Sequence, residues 1–424
     1  MTPRRILRRA PLALAMAATM LATVAATSTH QQDAAALAAV LPLGGRDLPE
    51  VRNVTSLARG VQLTQIVRGA NPASPAEIPT TSRGPWRVSV LTVDPKRARG
   101  HLKATYGKDL AQVEATSDLV RAAGALGGVN ASFFAIGSKA HPGEPVGLGL
   151  YRGAVHSEPA AVSTEVNLLV DARTNKVRIG RLTWSGSLSN RSTRKTVRLD
   201  HLNRPPQVPV TCRQLLDPTT CTKSGDVVHF RQQFGPTPVG PGIEVVLNRS
   251  GCLVRSTRTR GTVLTKGQSS VQATGSDTRT LLALVKKGCL SRRVALRDDQ
   301  RKTVRLHPDM YGVAGRYRLT RNGRIVVPAA KNSFFARHPR TLVGATSSGK
   351  VLLVTIDGRR TTSVGATLAE SAAVAHALGL RNSVNLDGGG STSMAVKGAV
   401  VNQPSGGAQR AVGDALVYVD RPLK

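Results

Sequence analysis

The strongest constraint on the fold is a strand–turn–helix–strand sequence in the last quarter of the chain. Residues 350–356 (Lys-Val-Leu-Leu-Val-Thr-Ile) predict a buried strand, and the turn signal Asp357-Gly358 follows it. A helix is predicted over residues 367–378, because a Thr-x-x-Glu capping box precedes it and a glycine ends it. A second strand, residues 383–386, ends at Asp387. This alternation predicts an α+β (mixed α/β) fold with a mixed sheet.

The first half of the chain contains further strand patterns. Residues 61–67 and 86–93 alternate between apolar and polar positions and predict two strands. Residues 114–123 predict a helix, and residues 125–129 predict a short strand that ends at Asn130. These segments extend the fold toward the N-terminus.

The middle of the chain differs in composition from the segments on either side. Residues 160–305 contain short β-like runs, many prolines, dense arginine and all four cysteines. We interpret them as a β-rich insertion or subdomain within one domain that spans residues 59–424. Residues 27–58 are rich in alanine and then polar, and predict a loose lead segment before that domain.

The N-terminus predicts export. Arg4, Arg5, Arg8 and Arg9 precede an uncharged apolar run over residues 10–26, which is the layout of a secretory signal peptide. Cleavage is predicted after residue 26, or as late as residue 39. The paired arginines match the twin-arginine signal poorly, so the Sec route is favoured. We predict a secreted or cell-envelope protein without a transmembrane anchor.

An even number of cysteines fits an oxidising compartment. Four cysteines allow three pairings, of which Cys212–Cys221 with Cys252–Cys289 is the most local. The sequence contains no CxxC pair of the kind that binds zinc. It predicts neither a metal nor a cofactor.

The charge balance points to anionic partners. Lys and Arg total 59 against 25 Asp and Glu, a formal net charge of +34. Such a chain is attracted to polyanions, and for an exported protein a polyanionic cell-surface polymer is the expected class. Aromatic residues make up only 3% of the chain and no nucleic-acid motif occurs, so specific nucleic-acid binding is not predicted.

The sharpest chemical signal follows the strand that ends at Asp387. Three glycines, Gly388, Gly389 and Gly390, precede the hydroxyl residues Ser391 and Thr392. Glycines permit positive φ and close approach of a ligand to the backbone, and successive N–H groups can bind an anion. A carboxylate beside such a turn suits chemistry next to a phosphate.

Several short motifs together resemble the phosphodiester glycosidase family. The segment Ser383–Met394, with its Asn-Leu-Asp-Gly-Gly-Gly-Ser-Thr core, is similar to the family signature. Other landmarks occur in the family's order: Gly128–Phe134, Pro145–Gly149, Arg340–Gly344, Thr355–Arg359, Asn402–Pro404 and Arg410–Asp414. The resemblance extends from about residue 60 to residue 419.

The resemblance implies hydrolysis of the glycosidic C–O bond of a sugar-1-phosphodiester, giving a free sugar and a phosphomonoester. It implies that Asp387 and Asp357 act as the carboxylates that stabilise an oxocarbenium-like state. Arg340 would then stabilise the leaving phosphate, and Asn130 would hold a sugar hydroxyl or water. The expected substrate-binding residues are Gly388, Gly389, Gly390, Ser391, Thr392, Thr341 and Arg410. The expected partner is a phosphate-bearing glycan or a small glycosyl phosphodiester.

Two other interpretations stay open from the sequence. A metal-assisted phosphodiesterase could use Asp357, Asp387 and Asp414 to cut a P–O bond, although no metal-ligand spacing supports it. A secreted polyanion-binding protein without catalysis would also fit the charge. His338 and His141 lie near the motifs, but a lone histidine is more often structural or exposed.

Overall fold

The structure is a computed structural model that describes residues 39–423. The predicted signal peptide lies outside the described residues. Numbered along the chain, the strands are β1 (Glu50–Ala58), β2 (Val61–Arg68), β3 (Trp86–Val93), β4 (His101–Thr105), β5 (Gly127–Asn130), β6 (Gly149–Tyr151), β7 (Ala154–Ser157), β8 (Glu165–Asp171), β9 (Lys176–Gly180), β10 (Thr183–Asn190), β11 (Thr196–Arg198), β12 (His201–Leu202), β13 (Ser224–Arg231), β14 (Gly240–Leu247), β15 (Leu253–Arg260), β16 (Ser269–Gly275), β17 (Leu290–Arg297), β18 (Met310–Arg321), β19 (Arg324–Ile325), β20 (Arg340–Thr346), β21 (Val351–Ile356), β22 (Leu380–Asn385), β23 (Met394–Val396), β24 (Ala399–Val400) and β25 (Ala415–Val419).

Helix is a minor component of the described residues. The α-helices are α1 (Thr116–Ala122), α2 (Asp277–Val285) and α3 (Leu368–Ala377). The capping box predicted before α3 is present, with Thr367 as the N-cap and Glu370 at the third position. The predicted α+β class therefore holds only in a β-rich form.

The largest sheet has twelve strands and is antiparallel. Its main path is β1-β2-β3-β21-β20-β22-β18-β6-β7, with β8 and β19 also paired to β18 and β9 paired to β8. The predicted mixed sheet is wrong here. Strands β21 and β22, which α3 connects, run in the same direction, but β20 lies between them and is antiparallel to both. Among the described strands, the parallel pair is β12 with β13, in another sheet.

Both faces of the large sheet are covered. One face packs against the five-stranded sheet β24-β23-β5-β25-β4, where Leu91 and Val384 meet Val129 and Leu416 in one core. On the other face, apolar residues of β3, β20 and β21 pack against α3. Burial on both faces explains why every residue of β21 is buried and why its sequence is apolar except for Thr355.

The middle of the chain is more closely tied to the large sheet than predicted. Strands β8 and β9, which fall inside the predicted 160–305 insertion, belong to the large sheet. The strands outside it begin at β10 and form the sheets β11-β10-β17 and β12-β13-β16-β14-β15. The prediction of a loose lead segment is also wrong for Glu50–Ala58, because these residues form β1, which pairs with β2 at the edge of the large sheet.

Two disulfides lie in this middle region. They join Cys212 to Cys221 and Cys252 to Cys289, which confirms the most local of the three pairings. Within residues 39–423, no helix is long and apolar enough to span a bilayer.

Candidate active site

The site forms where the ends of β5 and β22 meet. Asp387 follows β22, and its backbone N–H donates to the carbonyl of Ala131 at 2.9 Å. The side-chain amide of Asn130, at the end of β5, donates to the carbonyl of Asp387 at 2.7 Å. These two bonds link the large sheet to the five-stranded sheet and fix the backbone of Asp387.

The side chain of Asn130 is fully buried and used within the protein. Its Oδ1 accepts from the hydroxyl of Thr341 at 2.7 Å and from the backbone N–H of Ser393 at 3.1 Å. Asn130 and Thr341 were predicted to contact substrate. In the structure neither lines the pocket of Asp387; Thr341 donates to Asn130, and Asn130 donates to the backbone carbonyl of Asp387. Their contacts here are those of positioning residues.

The glycine turn is closed by its own hydrogen bonds. The N–H of Gly388 donates to the Asp387 carboxylate at 2.9 Å, and the N–H of Gly389 donates to the carbonyl of Pro339 at 2.8 Å. The N–H groups of Ser391 and Thr392 donate back to Gly388 and Gly389. Four of the five N–H groups of residues 388–392 are thus engaged, which weakens the expectation of an N–H nest for an anion.

Close packing explains why this turn contains glycine. A Cβ at Gly388 would lie 2.9 Å from the carbonyl oxygen of Pro339, and Gly389 has φ +59°. A Cβ at Gly390 would overlap with a guanidinium nitrogen of Arg410. Because glycine has no side chain, the turn can pack closely against the backbone of Pro339 and against Arg410.

Asp387 opens into a pocket of about 270 Å³. Two aromatic rings, those of Phe133 and Phe334, lie in its wall with centroids 6.1 Å apart. The other lining residues are Ser333, His338, Arg340, Arg359, Asn385, Gly388 and Gly389. The pocket therefore combines one carboxylate with cations and apolar rings, which suits a ligand that is part sugar and part anion.

Arg340 is a buried residue in the wall of this pocket. Its Nε donates to the carbonyl of Ala366 at 3.0 Å, and its Nη2 donates to the carbonyls of Phe334 and Ala336 at 2.8 and 2.6 Å. Burial, together with repulsion from Arg359, lowers the pKa of Arg340 to about 10, so the guanidinium remains charged at neutral pH. Three carbonyl acceptors fix its position.

Three more guanidinium groups surround the turn. Arg359 donates to Nδ1 of His338 at 3.2 Å, and Arg316 lies over the ring of Phe133 at 4.4 Å. Arg410 lies against Gly390. Across the part of the chain that the structure describes, the ion pairs within 4 Å involve none of these residues and not Arg340 either. An anionic substrate group could therefore approach these guanidinium groups without displacing an ion-pair partner.

The sequence analysis did not favour a functional role for His338, but this residue lines the pocket. Its Nε2 lies 2.8 Å from the carbonyl of Ser333, which can only accept, so Nε2 carries the proton. Nδ1 then accepts from Arg359. Burial and the neighbouring arginines lower the pKa of His338, which favours this neutral form. His141 lies elsewhere, stacked on Phe234 at 5.2 Å.

Burial raises the pKa of Asp387 to about 6. Hydrogen bonding by Ser391 and by the N–H of Gly388 opposes that rise, as do the charges of Arg410 and Arg316. At neutral pH the carboxylate is mostly ionised but lies close to its titration point. A group poised in this way can act as a base or as a nucleophile.

Asp357 is not in the same pocket. Its Oδ1 accepts from the amide of Asn402 at 2.7 Å and its Oδ2 accepts from the N–H of Gln403 at 2.8 Å. Burial raises its pKa to about 6 as well, because it is only 2% exposed. Asn402 also accepts from the N–H of Met394 at 2.8 Å. Asp357 therefore ties the trailing loop to the strand that follows the glycine turn.

The sequence analysis considered Asp414 only for the alternative metal-assisted phosphodiesterase and assigned no direct role to Ser132. In the structure, Asp414 accepts from the N–H and the hydroxyl of Ser132 at 2.6 and 2.8 Å, and from the hydroxyl of Tyr151 at 2.8 Å. This buried network holds the backbone directly before Phe133. Ser132 and Asp414 lie in the motifs Gly128–Phe134 and Arg410–Asp414, which are far apart in the sequence and are brought together by the pairing of β5 with β25.

Within residues 39–423, no group of three or more His, Cys, Asp or Glu residues is arranged to hold a metal ion.

Part of the chain is similar to a known protein family. Residues 241–419 match the model of the phosphodiester glycosidase family. Over 80 residues the chain is 40% identical to the SPbeta prophage-derived protein YomE of Bacillus subtilis (strain 168), a match that covers 19% of this chain and only 12% of that relative.

Two solved structures share the fold. A protein of Burkholderia pseudomallei K96243 that has been proposed to be exported superposes with a TM-score of 0.75 at 24% identity, covering 90% of this chain and 98% of that one. A hypothetical protein from Synechocystis has a TM-score of 0.62 at 18% identity, covering 88% of this chain and 64% of that one.

The fold and the Asp387 pocket define a β-rich domain in which one carboxylate lies among guanidinium groups. The family match confirms, for residues 241–419, the resemblance found in the sequence. The glycine turn, Arg340, Asp357 and Arg410 all fall inside the matched range.

Proposed function

We propose that the protein is an exported glycosidase that hydrolyses the glycosidic C–O bond of a sugar-1-phosphodiester. The observation that carries the proposal is the pocket in which Asp387 lies among guanidinium groups, within the segment that matches the family. A phosphomonoester is a good leaving group, so its departure needs a positive field more than a proton donor. Arg340 and Arg359 in the pocket wall, with Arg410 beside the turn, supply such a field.

Asp387 is the proposed catalytic carboxylate. In its ionised form it would stabilise positive charge at the anomeric carbon, by direct attack or through an activated water. Phe133 and Phe334 would pack against the sugar, and the arginines would bind the phosphate. Asp357, whose two oxygens are engaged by Asn402 and Gln403, is proposed to support the loop instead of the reaction.

The proposed substrate is a phosphate-bearing glycan or a smaller glycosyl phosphodiester outside the cell. Two disulfides and the likeness to a protein proposed to be exported support a secreted location. The net charge of +34 supports a polyanionic cell-surface polymer as the physiological context.

The direct test is the position of bond cleavage. The mature protein, from about residue 40, would be incubated in ¹⁸O-water with a diester of the N-acetylglucosamine-1-phospho-mannose type. Mass spectrometry would follow the released sugar and phosphomonoester. Label in the free sugar, lost in Asp387→Asn but kept in the surface control Asp118→Asn, is the expected result. Label in the phosphate would indicate P–O cleavage and reject the proposal.

A further inference from the structure

A second group of cations lies outside the Asp387 pocket. Two adjoining cavities of about 560 and 500 Å³ share Arg231 and Gln233 in their walls. Neither cavity shares a residue with the Asp387 pocket, and neither is lined by Asp or Glu. The basic residues of the first are Arg191, Arg231, Arg249 and Arg292, and those of the second are Lys103, Lys108, Arg152 and Arg231.

Strand alternation builds this groove. In β13, Val228 and Phe230 point into one core, so His229 and Arg231 face the opposite way. Arg292 comes from β17 of the neighbouring three-stranded sheet, where it stands opposite Leu188 of β10. The groove therefore lies where the three smaller sheets and the edge of the large sheet converge.

The two inner arginines are half-buried without a counter-charge. No hydrogen bond or ion pair found in residues 39–423 involves the guanidinium of Arg231 or Arg292. Burial lowers the pKa of Arg292 to about 9, and repulsion from Arg231 adds to that effect. Burial also lowers the pKa of Arg231. Holding two such charges together costs free energy unless an anion compensates them.

Two buried histidines respond to the same field. Burial lowers the pKa of His156 to about 3, with further contributions from Arg231 and Arg292. The pKa of His229 is also lowered well below its usual value, by burial and then by the same two arginines. Both imidazoles stay neutral, and each leaves a buried Nδ1 without a hydrogen-bond partner.

Other buried arginines of this protein are satisfied differently. Arg68 donates to the carbonyls of Leu43, Leu48 and Gly45 and lies 3.7 Å from Glu50. The fold can therefore compensate a buried guanidinium from within. The contrast indicates that the groove arginines are kept for a ligand outside the chain.

We propose that this groove binds a linear phosphodiester polymer and seats at least two successive phosphate groups. Two joined cavities, each with its own cations and with Arg231 between them, fit a repeating anion better than a single one. Guanidinium donors match the geometry of phosphate oxygens and can bind them in a bidentate way. The choice of a phosphodiester polymer rests on the proposed function, whereas the requirement for linked anions rests on the groove.

Binding by calorimetry tests the groove without any turnover. The protein would carry Asp387→Asn, so that hydrolysis cannot consume the probe, and the readout does not depend on the proposed activity. The probe is a synthetic glycerol-phosphate hexamer, with inorganic phosphate and hexaglutamate as comparison anions. Arg292→Gln is compared with Arg293→Gln, which removes the same charge from the next, exposed residue of β17.

We expect the hexamer to bind at least tenfold more weakly to Arg292→Gln than to Arg293→Gln at equal ionic strength. Arg231→Gln should show the same loss. Because each groove variant removes a repelled charge, its melting temperature should stay equal or rise, which a merely structural arginine would not allow. Equal binding by the groove variants and Arg293→Gln would overturn the proposal. Binding of inorganic phosphate or hexaglutamate as tightly as the hexamer would also overturn it.

Discussion

The side-chain amide of Asn130 donates a 2.7 Å hydrogen bond to the backbone carbonyl of Asp387. Since Asn130 ends a strand of one sheet and Asp387 follows a strand of another, this bond sets the distance between the two sheets at the site. The carboxylate of Asp387 is thereby positioned from behind, by a residue that does not face the pocket.

Asn130→Ala should lower both stability and activity. The change removes the bond to Asp387 and leaves the hydroxyl of Thr341 and the N–H of Ser393 without their acceptor. Losing buried hydrogen bonds of this kind costs about 2–4 kcal/mol of unfolding free energy. Urea denaturation would measure that cost, with the exposed Asn53→Ala expected to change stability by less than about 0.5 kcal/mol. Equal values for both variants would contradict a positioning role.

Asp357→Ala should behave as a structural variant. The carboxylate anchors Asn402 and Gln403, and its loss should cost about 2–4 kcal/mol of unfolding free energy. Hydrolysis by the molecules that remain folded should fall much less than in Asp387→Asn, because Asp357 does not line the pocket. Turnover of each variant, corrected for its folded fraction, would distinguish a structural from a catalytic role of Asp357. A loss as deep as that of Asp387→Asn, without loss of stability, would instead assign chemistry to Asp357.

The sequence could not separate these two aspartates. Each follows a strand of the large sheet and precedes a glycine, so their local signals are the same. The difference arises from residues 402 and 403, which contact Asp357 from 45 and 46 positions further along the chain. Such long-range hydrogen bonds leave no periodic pattern in a sequence.

Local signals predicted the local structure well. Trp86–Val93 was predicted with the bounds observed, because its apolar alternation needs no distant partner. The order of the sheet was not predictable, because nothing in the sequence between β21 and β22 indicates that β20 lies between them. The same limit hid the groove arginines, which come from strands about sixty residues apart.

The pH dependence of hydrolysis should depend on Arg410. If ionised Asp387 is the active form, the rate should rise with pH and level off above an inflection near 6, following its raised pKa. The charge of Arg410 lowers that pKa, so Arg410→Gln should move the inflection to higher pH. The exposed Arg381→Gln, at the far end of β22, is the matched control. A profile of kcat that keeps the same inflection in both variants would argue against Asp387 as the titrating group.

The stability of Asp387→Asn relative to the unchanged protein should increase with pH. The folded-state pKa of Asp387 is raised from 3.8 to about 6, so the unfolded chain binds fewer protons between these values. Ionisation therefore opposes folding, and its penalty is absent below about pH 4 and fully present above about pH 6. Asparagine avoids it, and the relative gain should reach about 1–3 kcal/mol. Urea midpoints at pH 4 and pH 7.5 would measure the difference, and a constant offset would contradict it.

The two disulfides should contribute unequally to stability. Cys252–Cys289 closes a loop with a sequence separation of 37, whereas Cys212–Cys221 closes one with a separation of 9. A longer loop loses more chain entropy when it is closed in the unfolded state. Replacing Cys252 and Cys289 by serine should therefore cost about 1 kcal/mol more than replacing Cys212 and Cys221. Chemical denaturation of the two double variants under oxidising conditions measures this, and a larger loss from the shorter loop would show that local packing outweighs loop entropy.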